Sequence, residues 1–415
     1  MVHKPSMLSR WLAARLGSAV AVAPVKFVLW EGREVTGTDG PSESTIVITK
    51  PGPLAKFLVD PDLYFGDGYC EGRIEVEGDL VGTLGRIYAA RQRRSTASGP
   101  AALLARWLDW RQKNTLRGSR RNIHHHYDLD AGFFELFLDS QLVYTCAYFP
   151  SPDYSLEDAQ IAKMDYVCRK VGLSRGDRVV EAGCGWGALA LHMARNFGAT
   201  VRAFNISHEQ VAYARARARR EGLADRVEFV EDDGRNICGK YDVFVSVGML
   251  EHLGRQCYRE LGEVIHRCLP DSGRGLLHFI GRNRPMPLNS WIRRRIFPGA
   301  YPPVLREAMD VFESRDLSVL DVENLRLHYA LTLEHWLSRY ERSLEKVTAR
   351  FGREFARSWR LYLAGSVAAF RTGWLQLFQI AFARGANNRI PWTRNHLYLA
   401  EPEPLSTGSR TAVMS

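Results

Sequence analysis

Long apolar runs are missing from this 415-residue chain. No stretch approaches the eighteen or so uninterrupted apolar residues of a membrane span, so no transmembrane helix is expected. WLAARLGSAVAVAPV (11–25) comes nearest, but Arg15 breaks it and it reads as a helix, not a signal peptide. Cysteine is scarce and unordered. The seven cysteines are odd in number, scattered, and form no CxxC pair, which excludes a disulfide framework and a zinc site and points to a reducing, cytosolic setting. His124, His125 and His126 do not restore a metal site, because consecutive histidines cannot all face one ion and no carboxylate cluster supports them. No helix-turn-helix, zinc-finger or RNP-like pattern is present either, so no nucleic-acid partner is expected.

What the chain does have is positive charge, a net +10, and it is concentrated. Between Arg86 and Arg121 lie Arg91, Arg93, Arg94, Arg106, Arg111, Lys113, Arg117 and Arg120, opposed by Asp109 alone. Inside this stretch AALLARWLDWRQK (101–113) spaces Leu103, Leu104, Trp107, Leu108 and Trp110 close to a helical stripe. A basic amphipathic helix carrying Trp suits an anionic membrane surface; a linker helix packing its Trp residues on a neighbouring domain fits equally well.

At this length two domains are expected. Residues 1–90 hold short alternating runs, VKFVLWEG, STIVITK and GRIEVEG, separated by turn chemistry, and read as a small α+β module. LVDPDLYFGDGYCEG (58–72) shows only turns and aromatics. Residues 91–120 read as a basic linker, with RQRRSTASGP (91–100) at its start, and 401–415 as a disordered tail.

From 121 to 400 the pattern is strand and helix in alternation. DRVVEAG (177–183), TVRAFNI (200–206), RVEFVED (226–232), YDVFVSVG (241–248) and GRGLLHFIG (273–281) read as strands. LALHMARNF (189–197), EQVAYARARARREG (209–222) and RQCYRELGEVIHRCL (255–269) read as the helices between them. The expected fold is α/β, a doubly wound and mostly parallel sheet. Residues 282–325, rich in Arg and Pro, interrupt it; so long an insertion is expected to cover something, as a lid or an acyl-chain wall, and Arg282, Arg284 and Arg293–Arg295 on it to meet anionic headgroups.

Two features carry chemistry. EAGCGWG (181–187) puts glycines between a strand and a helix, where the backbone can approach a ligand. Gly183, Gly185 and Ala188 satisfy a relaxed dinucleotide pattern, but the acid precedes the glycines at Glu181 and the next strand ends in FNIS, without the acid a nicotinamide cofactor requires. An acid in front is the S-adenosylmethionine pattern. The second feature is VSVGMLEHLG (245–254), a buried strand running into Glu251 and His252. Glu251 and His278 both fall where such sheets bind ligands.

In HYDLDAGFFELFLDSQLVYTCAYF (126–149), VVEAGCGWGALALHMA (179–194), NISHEQ (205–210), YDVFVSVGMLEHLG (241–254), LLHFIGRN (276–283), IFPGAYPPVL (296–305) and LHYALTLEHWLSRY (327–340), the chain resembles the cyclopropane-fatty-acyl-phospholipid synthase family. That family includes the mycolic-acid cyclopropane synthases. The resemblance implies a Rossmann-like class I methyltransferase domain that takes S-adenosylmethionine at Tyr144, Thr145, Glu181, Gly183, Gly185, Asn205, Gln210 and Asp233. The family usually has Ser at Thr145, Thr at Asn205, and an aromatic residue near the adenine where this chain has Gly234. It further implies a bicarbonate ion as base, held by the side chains of Glu251, His278 and Tyr329 and by backbone amides at Cys146 and Ile280. Glu251 then holds a small anion and is not itself the base. The implied reaction adds a methylene bridge to the cis double bond of an unsaturated phospholipid acyl chain. The enzyme would sit on the inner face of the membrane, with a homodimer through the N-terminal module admitted. A methyl-branched or methylene product, a small-molecule amine acceptor, and a lipid-binding protein without catalysis remain as alternatives.

Overall fold

The computed structural model describes residues 24–36, 44–50, 60–94 and 129–398. The amphipathic segment 101–113, the three histidines and the tail from 401 lie outside these. Two sheets organise the described chain. The smaller has the order β2-β1-β3-β4, from β1 (Lys26–Val28), β2 (Glu34–Thr36), β3 (Thr45–Ile48) and β4 (Ile74–Glu77). Only β2 was not legible as a run of apolar alternation.

The larger sheet has the order β10-β11-β9-β8-β5-β6-β7. Its strands are β5 (Arg178–Ala182), β6 (Thr200–Asn205), β7 (Val227–Glu231), β8 (Val243–Val247), β9 (Arg274–Gly281), β10 (Leu317–Asn324) and β11 (Gln376–Arg384). The pairs among β5 to β9 are all parallel, and β11 joins antiparallel to both β9 and β10. β8 is buried throughout and β5 at all but its first residue, as expected of strands covered on both faces. After β5 the chain moves outward through β6 and β7, then returns to place β8 on β5's other side. The carboxyl end of β5 is therefore the topological switch point, where such sheets bind ligands.

Four expectations need correction. The 58–72 segment contains a helix, Pro61–Cys70: Asp60 caps it by accepting from Leu63 N at 3.1 Å, and Pro61 occupies its first turn, where a missing N–H costs nothing. Its glycines are there for packing, since a Cβ on Gly66 would stand 2.2 Å from Trp291 Cγ and one on Gly68 2.7 Å from an Ile74 methyl. The linker also begins later than its Arg-rich start implies, because one helix runs unbroken over Leu80–Arg94. Residues 317–324, assigned to the insertion, form the edge strand β10, whose half-exposed residues disguise it. Lastly, Arg282 faces no surface: it is buried and donates to the carbonyls of Met286 and Pro287 at 3.1 and 2.8 Å.

Helices Arg326–Arg342, Leu344–Phe351 and Arg353–Arg371 follow β10. The last packs against Leu80–Arg94 and Pro61–Cys70, tying the small module to the large one. The segment after β9 is held to the same module. Arg295 makes a two-bond ion pair with Asp67 at 3.1 and 3.0 Å, and Ser290 donates to Asp60.

Candidate active site

The turn after β5 is built by positive-φ glycines, with φ of +86° at Gly183, +53° at Gly185 and +86° at Gly187, a region that disfavours side chains. Gly183 and Cys184 both donate to Phe204 O, at 2.9 and 3.0 Å, which pins the turn to β6. A Cβ on Gly187 would lie 2.7 Å from Phe229 Cζ, whereas one on Gly185 would meet nothing within 4 Å. Gly185 thus opens onto free space, and helix Ala188–Phe197 starts directly behind it. Asn205, at the end of β6, donates to Gly185 O at 3.2 Å and to Gln210 Oε1 at 2.7 Å.

A cavity of about 260 Å³ begins at this turn. Tyr144, Thr145, Glu181, Gly183, Gly185, Asn205, Gln210 and Asp233 all line it, as do Glu251, Ile280 and Tyr329. The Asp233 carboxylate accepts two bonds from the Arg235 guanidinium, each 2.9 Å, which fix its orientation. At Gly234, a Cβ would stand 3.3 Å from Met249 Sδ; the Met249 thioether occupies the space that an aromatic side chain at that position would fill.

Cys146 and His278 lie behind the cavity wall and do not line it; both are buried. Their elements meet the site nonetheless. Gly248 N donates to His278 O at 2.8 Å, and a Cβ on Gly248 would touch Thr145 Cγ2 at 3.2 Å. Ala147 N, one residue past Cys146, donates to Thr332 Oγ1 at 3.0 Å, on the helix that carries Tyr329.

Glu251 stands in the one-turn helix Leu250–Leu253 that follows β8. Its Oε1 accepts from Ile280 N at 3.2 Å, while Oε2 is buried without a partner. Burial pushes its carboxyl up to about 7. His278 is paired across the strands with Gln379, whose amide nitrogen lies 2.9 Å from Nδ1. With Gln379 donating to Nδ1, the ring proton sits on Nε2, which is buried and has no partner. Desolvation, aided by the charge of Lys163, drives His278 down to about 3 and keeps it neutral. A protonated Nε2 of that kind is a donor in search of an acceptor. His252 also lines the cavity; burial brings it down to about 4, and its ring lies 5.6 Å from Phe297.

Several site residues escaped sequence reading. Tyr362 Oη lies 2.9 Å from Tyr144 Oη, and Tyr88 reaches the cavity from the Leu80–Arg94 helix. Lys163 is buried, lines the cavity and donates to Thr145 Oγ1 at 3.2 Å. The signal for it was present. In LEDAQIAKMDYVCRK the buried stripe is Leu156, Ala159, Gln160, Lys163, Met164 and Val167, so a Gln and a Lys occupy positions where an amphipathic helix places apolar residues.

A doubly wound sheet with this glycine turn at its switch point, an acid on the strand before it and a cavity beyond is the architecture of class I S-adenosylmethionine-dependent methyltransferases. Comparison with known proteins gives the same class. The family profile of mycolic acid cyclopropane synthetase matches residues 114–380, and a domain of unknown function, DUF7884, matches 14–98. A probable fatty acid methyltransferase of Pseudomonas putida is 34% identical over 391 residues, covering 90% of this chain and 96% of that one. The cyclopropane-fatty-acyl-phospholipid synthase of Escherichia coli K12 is 36% identical over 266 residues, covering 64% and 68%. The crystal structure of mycolic acid cyclopropane synthase CmaA1 complexed with SAH and CTAB superposes with a TM-score of 0.61 at 29% identity, over 63% of this chain and 97% of that one. The chain belongs to the mycolic acid cyclopropane synthetase family, and it is an S-adenosylmethionine-dependent methyltransferase of the cyclopropane-synthase type.

Proposed function

We propose that this enzyme converts the cis double bond of an unsaturated acyl chain, carried on a membrane phospholipid, into a cyclopropane ring. The observation that carries this reading is the pair of unpartnered buried atoms, Glu251 Oε2 and His278 Nε2, in and behind the wall of the cavity that holds the glycine turn. Alkene methylation leaves positive charge on carbon, and ring closure then requires loss of a proton. A site for it needs a dry cavity, aromatic faces and a base.

Bound S-adenosylmethionine supplies an electrophilic methyl group. The glycine turn, Asn205 and Gln210 suit its polar end, and Glu181 Oε2, buried and unpartnered, suits its ammonium. Bicarbonate, when bound, supplies a base. Two donors suit such an anion, a neutral imidazole Nε2–H and a carboxyl near 7 that can keep a proton and donate it, while the Ile280 amide holds that carboxyl through Oε1. Tyr144, Tyr329 and Tyr362 line the cavity and offer aromatic faces, which attract cations; Trp336 packs against the first two, at ring-centroid distances of 5.3 and 6.1 Å. Leu288, Ile292 and Phe297, from the segment after β9, give the cavity an apolar wall, which suits a reaction that water would divert.

A second reading is favoured by one observation: the Pseudomonas putida fatty acid methyltransferase matches this chain nearly end to end. In that reading the product is methyl-branched. Among the described residues no helix is long and apolar enough to cross a membrane. The basic charge of the 86–121 sequence supports surface attachment as the route to a lipid acceptor. Glu251→Gln tests the site. Turnover on unsaturated phospholipid vesicles should fall by about 100-fold or more, the scale of a lost acid–base partner, with S-adenosylhomocysteine binding retained. Unchanged turnover removes Glu251 from the chemistry.

A further inference from the structure

Lys163 is a buried cation that lines this cavity, and the reaction scheme above gives it no part. Its ammonium donates to Thr145 Oγ1 at 3.2 Å. One turn earlier on the same helix, Gln160 Nε2 donates to Val143 O at 3.3 Å and Thr145 O at 2.9 Å. From the other side Asp139 accepts from Gln141 N and Val143 N, at 2.8 and 3.0 Å. Residues 141–145 are thereby clamped at both ends, and Tyr144 and Thr145 of that loop line the cavity. Lys163 also interacts electrostatically with Asp139, Cys146, Cys168 and Glu181, and with His278 from β9. Glu181 lines the same cavity with Oε2 buried and unpartnered.

We propose that Lys163 is a positioning residue for the cofactor: it fixes the Tyr144–Thr145 loop through the Thr145 hydroxyl and balances Glu181 at the cavity floor, so that cofactor affinity depends on its charge. The proposal rests on the reading of this cavity as the S-adenosylmethionine site. A buried carboxylate with no cation nearby takes up a proton, and a protonated Glu181 is a poor partner for the cofactor's ammonium. With Lys163 present, Glu181 is held below where burial alone would put it, at about 7. Desolvation in turn lowers Lys163 to about 8, with Asp139, Cys146 and Glu181 opposing that fall.

The test is calorimetric binding of S-adenosylhomocysteine to the full chain between pH 6.5 and 9. Wild type should bind more tightly as Glu181 loses its proton through about 7, and less tightly as pH rises through about 8, where Lys163 loses its charge. Lys163→Met should bind about 10- to 100-fold more weakly, the scale of a lost charged hydrogen bond, and should lack the limb near pH 8. Its KM for S-adenosylmethionine should rise by the same factor, with kcat at saturating cofactor changed far less. Lys163→Arg keeps its charge at every pH used, so it should restore part of the affinity and flatten the limb. A merely structural lysine would lower the melting temperature in both variants without moving the pH profile. Should Lys163→Met not fold, Thr145→Val keeps the lysine and removes its acceptor, and it should weaken binding several-fold. Wild-type affinity in these variants overturns the proposal. Failure of wild type to bind S-adenosylhomocysteine overturns the cofactor reading of the cavity, and the proposal with it.

Discussion

Glu251 is costly to the fold, and its replacement by Gln shows by how much. Burial pushes the carboxyl from its ordinary 4.5 up to about 7. A group that holds its proton more tightly when folded destabilises the folded state progressively as pH rises through that interval, and the full cost is present above about 7. At roughly 1.4 kcal/mol per pH unit the cost is about 3 kcal/mol. Gln cannot ionise, and its amide oxygen can still accept from Ile280 N, which lies 3.2 Å from Glu251 Oε1. Its amide nitrogen inherits the unpartnered place of Oε2, a penalty of about 1 kcal/mol. Glu251→Gln should therefore be more stable than wild type by about 1–3 kcal/mol at pH 8, although inactive. Between pH 8 and pH 5 the gap should shrink by about 2–3 kcal/mol, as the wild-type carboxyl takes up its proton. Urea unfolding of both proteins at the two pH values, with midpoints and slopes compared, measures it. A gap independent of pH, or a variant less stable at pH 8, would refute the reasoning.

Two further outcomes test the packing behind the site. Gly66→Ala forces a Cβ into the Trp291 ring; overpacking of this kind costs about 1–3 kcal/mol, and chemical denaturation should show it, whereas Gly32→Ala, with nothing within 4 Å but a positive φ, reports backbone strain alone. Gln379→Leu leaves His278 Nδ1 without its donor in a buried strand pair, so the protein should lose about 1–3 kcal/mol and the ring its fixed tautomer. Nitrogen-15 spectra of the histidines would show a mixture of tautomers in the variant and a single one in wild type.

The parallel half of the large sheet was legible because β5 and β8 are short, valine-rich runs set apart by helical segments that end at Gly198 and Gly222. The glycine turn was legible because a tight approach demands residues without side chains. What escaped notice lacks local periodicity. β10 is an edge strand with Val319, Leu320 and Val322 each a little over a third exposed, so its pattern does not alternate cleanly. Helix Pro61–Cys70 contains Gly66 and Gly68, which propensity alone counts against it, and only contact with Trp291 and Ile74 explains them. Arg282 looked like a surface charge because nothing in RNRPMP announces that nearby carbonyls turn inward to receive it. Glu251 and His278 stood out by their places at strand ends and Ile280 through the family resemblance; Gln379, which orients His278, belongs to a strand that no alternating pattern announced. Lys163 was overlooked because a lysine in an amphipathic helix is ordinarily on the wet face.

The most direct test of the central claim is mass spectrometry of lipids after the purified enzyme has acted on unsaturated phospholipid vesicles with methyl-deuterated S-adenosylmethionine. The account predicts a ring-bearing acyl chain that retains two deuteriums, since one proton must leave the transferred methyl group. A branched chain retaining three would contradict the ring, and the absence of label from every lipid would contradict the acyl acceptor itself.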